Sequence, residues 1–313
     1  MKNQIQRKNP FWSLAGPLLG FLLIQSATQF LIRLGMELPY IAQAYAGLMR
    51  EAGNGTALTI QDIWDSYARA LEPAMEMILR WQVVIATVSG LATMILTGIL
   101  FAKDRRLEKA CGIALPKKEP LREYWTILVL GAVGSIVVTC LMVMAQAVFS
   151  DAAYQQTAES MYSAGIAEQI IGLGILLPIS EELMFRGILY KRLHERQPFW
   201  YAAIWSSVLF AFLHSNTTQM IYAFLLGLML SYVYEKFGSF RAPAFLHIVL
   251  NTGSVAFTEL GVFGWLAADP VRMAAASIIG AFICSVMFVK IQRMENVVNP
   301  DAAEKNSGPT DMF

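Results

Sequence analysis

Residues 172–190 read Gly-Leu-Gly-Ile-Leu-Leu-Pro-Ile-Ser-Glu-Glu-Leu-Met-Phe-Arg-Gly-Ile-Leu-Tyr. Most of this stretch is apolar enough to lie in lipid, yet Glu181, Glu182 and Arg186 interrupt it. One charge at the centre of a membrane helix costs about 2.5–3.5 kcal/mol on insertion scales. Charges this close together need mutual pairing or a function. Glu182 and Arg186 stand four apart, on one helix face and in the favourable acid-before-base order, so they are expected to pair. Glu181 points about 100° away around the helix and lacks that partner. It is the better candidate base, because a carboxylate desolvated in apolar surroundings accepts a proton near neutrality.

The rest of the chain supports lipid as the solvent. Of 313 residues 56% are hydrophobic and 15% charged, with a mean hydropathy of +0.49. Soluble domains lie nearer about 45–50% apolar and about 25% charged. The net charge of +1 leaves no basic field, which argues against nucleic acid as a partner. Cys111, Cys140 and Cys284 show no metal-ligand spacing, and an odd count argues against a disulfide framework.

A membrane helix needs about 20 mostly apolar residues. Eight candidates follow, at residues 11–34, 81–102, 125–149, 164–189, 199–214, 220–237, 242–260 and 273–289. The fold class is therefore all-α, a polytopic membrane helix bundle of about eight transmembrane helices with a four-helix core. Lys and Arg cluster in alternate connections: Lys2, Arg7 and Lys8 before the first span, residues 103–122 after the second, and residues 191–196 after the fourth. Lys236 and Arg241 flank the next such connection, and Lys290, Arg293 and Lys305 follow the last span. By the positive-inside rule this places a multi-pass protein in the cell membrane with both termini cytoplasmic. The first span reads as a retained signal anchor, being too long for a signal-peptide core. Residues 35–80 form a long external loop in which 59–80 has helix-like spacing suited to the outer interface. The chain divides into N-terminal spans with that loop (1–163), a core (164–260), a last span (261–296) and a disordered cytoplasmic tail (297–313).

Two further spans carry unusual polar groups. One ends Phe210-Ala-Phe-Leu-His214, and another holds His247-Ile-Val-Leu-Asn251, whose terminal residues share a face. The third histidine, His194, sits among Lys191, Arg192 and Arg196 as an ordinary loop residue. At about 1.5 Å per residue from the cytoplasmic ends, Glu181 lies about 16 Å deep, His214 about 21 Å and His247 about 9 Å. These depths let the three meet in one site. Singly, each motif is often structural: an intramembrane His is commonly a helix–helix hydrogen-bonding residue. The ordered set of EExxxR, FxxxH and HxxxN on separate helices is far more specific.

In that set the sequence resembles the CPBP family of CAAX proteases and bacteriocin-processing enzymes, over roughly residues 164–260. Its motifs match Glu181, Glu182 and Arg186, then Phe210 and His214, then His247 and Asn251. The resemblance implies an intramembrane endopeptidase open to the cytoplasm. Glu181, helped by His214, would activate water; His247 and Asn251 would donate to the oxyanion; Glu182, Arg186 and Phe210 would support them. Metal-free chemistry is favoured, so no cofactor is expected. Zinc on Glu181, His214 and His247 is the alternative, weakened by the absence of HExxH spacing. Competing functions are a non-catalytic immunity or regulatory partner and a proton-coupled transporter, the latter lacking an evident inverted repeat. The expected partners are membrane lipid and a peptide or membrane-protein substrate. Neither oligomeric state nor substrate identity is legible.

Overall fold

With lipid outside, backbone groups must be satisfied within the chain, and only helices do this segment by segment. The structure, a computed structural model, describes residues 5, 7, 9–55, 57–113, 118–214 and 216–294, and among them every regular element is helical. The tail at 297–313, with Lys2, Lys8, Lys117 and Lys305, lies outside the described residues. The elements are α1 (Pro10–Gly53), α2 (Ile60–Arg80), α3 (Gln82–Ala110), α4 (Tyr124–Phe149), α5 (Ala152–Tyr162) and α6 (Ile166–His194). They continue with α7 (Phe199–Ala211), α8 (Thr217–Phe237), α9 (Arg241–Glu259), the short α10 (Val262–Ala267) and α11 (Pro270–Gln292).

Each expected span coincides with a helix, but length and apolarity do not confirm all eight as crossings. Among the described residues five helices are long and apolar enough to cross, or six if α5 and α6, bent by 110° at their junction, are taken as one broken span. The reasons are local. α7 has only 13 residues, too few to cross alone. α9 carries Arg241, His247, Asn251 and Glu259, which lower its apolarity.

The expected external loop is a helical hairpin. α1 continues through Pro39 to Gly53, and α2 packs back along it. Thr59 and Asp62 form a reciprocal capping box at the start of α2. Ala44 and Leu48 of α1 and Ala74 and Ile78 of α2 are the buried residues of this hairpin. Arg33 donates to Gln82 at 3.2 Å, marking where α1 leaves the level at which α3 begins.

In the bundle, α4 packs on α9 and α11, α8 on α7, and α3 on α1 and α6. One apolar core joins Ile127, Leu230, Leu246 and Ile291 from α4, α8, α9 and α11. A second joins Phe21, Phe185, Ile188, Phe210 and Ala223 from α1, α6, α7 and α8. The expected basic connections meet at one end. Asp104 of α3 accepts from Arg7 at 3.1 Å and from Arg192 of α6 at 2.7 Å, and Glu195 pairs with Arg7 at 2.7 Å. At the same end Lys236 of α8 donates to the Gln292 carbonyl of α11 at 2.8 Å. The opposite end is tied by Asp151, which caps α5 and accepts from the Thr218 hydroxyl at 2.8 Å.

Candidate active site

The winding of α6 sets the site. Gln169–Leu176 and Phe185–Tyr190 are π-helical, and between them Leu177–Met184, which holds both glutamates, is regular α-helix. π-Helical turns are rare and recur at functional sites. The glycines of the first π segment admit close neighbours. At Gly174 a Cβ would lie 2.7 Å from Thr252 Oγ1 of α9, so only glycine allows this approach. The changed winding also exposes carbonyls to α9: Asn251 Nδ2 donates to Leu173 O at 3.1 Å, and Thr252 Oγ1 to Gly174 O at 3.3 Å.

Glu182 and Arg186 pair as expected, at 2.6 Å, and both are fully buried. Arg186 also donates to the Gly227 carbonyl of α8 at 2.9 Å and lies 4.9 Å from the Phe210 ring centroid. A buried ion pair is stable only if its remaining groups find partners, and this one draws them from α7 and α8. Gly227 enables it: a Cβ there would fall 2.8 Å from Ser207 of α7. Glu182 Oε2 and Arg186 Nε nevertheless stay buried without a hydrogen-bond partner.

His247 joins the two carboxylates. Its Nδ1 lies 3.2 Å from Glu182 Oε1, and its Nε2 lies 3.8 Å from Glu181 Oε2. An ionised carboxylate only accepts, so Nδ1 carries the proton donated to Glu182. That leaves Nε2 facing Glu181, just beyond direct hydrogen-bond distance. Glu181 has 26% of its side chain exposed, against none for Glu182.

His214 lies in the turn after α7, where Nδ1 faces the Phe210 carbonyl at 3.2 Å. It makes no contact within 4.0 Å with either carboxylate, and its ring meets Phe210 edge to face at 5.2 Å. Phe210 also meets His247 edge to face at 6.0 Å, and so connects the two histidines. The structure thus gathers Glu181, Glu182, Arg186, Phe210, His247 and His214 around one ring, but places His247 rather than His214 beside Glu181. Asn251 is one turn further along α9 with one amide N–H engaged.

Several contributors had weak sequence signals. Gly227 and the Leu173 and Gly174 carbonyls act through the backbone. Ser180 and the buried Thr93 of α3 share a hydrogen bond of 2.8 Å that fixes α6 beside Glu181. The pattern Gly172-Leu-Gly174 was the visible trace of the close packing. His194 is not a plain loop residue: it caps the Glu235 carboxylate of α8 at 3.2 Å, away from this site.

The zinc alternative calls for Glu181, His214 and His247 as one ligand set. Among the described residues no three His, Cys, Asp or Glu side chains group closely enough to hold a metal ion. His247 Nδ1 is turned to Glu182 and His214 Nδ1 to a carbonyl, which leaves each Nε2 open, but Glu181, His214 and His247 are not gathered into one ligand set.

Fold and site together define a multi-pass helical membrane protein with a buried carboxylate–histidine cluster. Comparison with known families agrees. Residues 163–253 match the family model described as type II CAAX prenyl endopeptidase Rce1-like. The chain is also similar to "Putative membrane peptidase YdiL" of Bacillus subtilis, 31% identical over 26% of this chain and 34% of that protein. It resembles "UPF0177 protein YxdF" of Lactococcus lactis, 33% identical over 29% of this chain and 51% of that protein. The alignments therefore span between a third and a half of these relatives. No solved structure matches the chain.

Proposed function

We propose that the chain is an intramembrane endopeptidase that hydrolyses peptide bonds of membrane-associated peptides or proteins with a glutamate-activated water. The observation that carries this reading is His247, held by the buried Glu182–Arg186 pair so that Nε2 faces the partly exposed Glu181 at 3.8 Å. A pure scaffold has no use for a free carboxylate beside an oriented imidazole. The Rce1-like match over residues 163–253 and the peptidase name of the Bacillus relative support the same class.

In this mechanism the water binds to Glu181 on its exposed side, next to His247. Glu181 takes its proton as the water oxygen bonds to the scissile carbonyl carbon. The second N–H of Asn251 is available to the resulting oxyanion, and such donors contribute about 3–4 kcal/mol in peptidases. The proton on Glu181 then passes to the amide nitrogen, the C–N bond breaks, and a carboxylate and an amine leave. His214 stands beyond Phe210, where it would meet the substrate rather than the water. Both termini are assigned to the cytoplasm, a reading supported by the convergence of the basic connections at one end.

The test is cleavage of a membrane-proteome peptide library by purified protein, with and without a strong chelator. Glu181→Gln is expected to lower turnover by at least about 100-fold, the lower range for losing general-base catalysis, with folding intact. Chelator-sensitive cleavage restored by zinc would replace this mechanism with a metal-dependent one. A folded wild type that cleaves nothing would favour a non-catalytic regulatory partner.

A further inference from the structure

A cleft of about 610 Å³ opens at the basic end of the bundle, between α1 and α3 with Arg192 of α6 at its back. It lies apart from Glu181 and plays no part in the proposed hydrolysis. Its lining changes character with depth. Toward the helix ends stand Arg106 and Lys103, further into the bundle Pro17 and Leu100, with the exposed ring of Trp12 as one wall and Arg7 beside Arg192. Below the floor the helices close, since a Cβ on Gly20 would lie 2.9 Å from Leu96.

The charges are unequally matched. Asp104 is shared by Arg7 and Arg192, and Glu195 binds Arg7 through two hydrogen bonds of 2.7 and 2.8 Å. Arg192 also donates to the Ser13 carbonyl. These two guanidiniums are thus fixed in place by carboxylates at the back of the cleft. Lys103 and Arg106 are exposed, and among the described residues neither has a carboxylate partner. The cleft therefore offers two uncompensated cations at its rim over an apolar floor that points toward the bilayer centre.

We infer that this cleft is a binding site for an anionic glycerophospholipid, with its phosphate on Lys103 and Arg106 and an acyl chain against Trp12, Pro17 and Leu100. The polarity gradient selects the lipid over free phosphate, which gains nothing from an apolar floor. The rim charge selects an anionic headgroup over a zwitterionic one. Basic pockets between membrane helices at the cytoplasmic surface serve this role in general, and each cation near such a surface contributes about fivefold in affinity.

The experiment is native mass spectrometry of the delipidated full chain in detergent, titrated separately with phosphatidylglycerol, phosphatidylcholine and inorganic phosphate. Wild type is expected to retain one phosphatidylglycerol in preference to phosphatidylcholine, with retention falling as salt rises. K103Q/R106Q is expected to weaken that retention about thirtyfold, while K290Q/R293Q, on α11 at the same end, leaves it unchanged. Equal retention of the two lipids by wild type would overturn the proposal without recourse to any variant. So would equal loss in both double variants, or displacement of the lipid by inorganic phosphate at similar concentration.

Discussion

Arg186 is the residue on which most of the site depends. It compensates Glu182, reaches the Gly227 carbonyl and covers Phe210. Removing one member of a buried ion pair strands the other charge, at a cost of about 3–5 kcal/mol. Arg186→Met is therefore expected to lower the thermal midpoint sharply in detergent. The double change E182Q/R186M removes both charges and is expected to recover much of that stability without recovering activity, since His247 then loses its ionised partner. A thermal-shift assay run beside peptide cleavage checks both outcomes. The pair itself was legible in the sequence, because four-residue spacing on a helix is a local property. The position of His247 was not. It depends on how closely α9 meets a π-wound α6, which Gly174 permits and no spacing rule encodes. The same packing explains why His247, not His214, faces Glu181: rise per residue measures depth but not rotation about the helix axis.

At the scale of elements, α2 shows what local signals can and cannot foretell. Its helical character was visible in the apolar spacing of residues 59–80. The continuation of α1 to Gly53 was not, since residues 35–80 read as a long external loop. The hairpin emerges because two half-apolar helices bury Ala44, Leu48, Ala74 and Ile78 against each other. Asp62 is held below its ordinary value of 3.8, first by the Thr59 hydroxyl and then by the Thr59 backbone N–H. A lowered carboxylate contributes stability that is complete above the ordinary value and lost as pH falls through the lowered one. The first turn of α2 is thus expected to be pH-independent at neutrality and to fray below about pH 3.8. Thr59→Ala should weaken the same turn at neutral pH by about 1 kcal/mol. Amide hydrogen exchange at the start of α2 reads both effects.

For the whole molecule, the ion pairs among Arg7, Asp104, Arg192 and Glu195 gather connections from distant parts of the chain at one end, with the hairpin tip at the other. Charge alternation in the sequence anticipated that grouping, though not the number of crossings, since α7 and α9 have the helix but not the length or apolarity. If the basic end is cytoplasmic, Asn54→Cys at the hairpin tip should react with a membrane-impermeant maleimide on intact cells. Native Cys111, following α3, should react only after permeabilisation. The reverse pattern would invert the assignment.

The brevity of α7 has its own consequence. Its 13 residues span only about 20 Å, against a hydrocarbon layer of about 30 Å. The turn carrying His214 therefore ends well short of the far headgroups, and hydrophobic mismatch should draw the far leaflet inward above it. Such a dimple brings bulk water within reach of a reaction that consumes it. In reconstituted vesicles, hydrolysis should then slow as acyl chains lengthen and the dimple becomes costlier, while a soluble-detergent preparation shows no such trend.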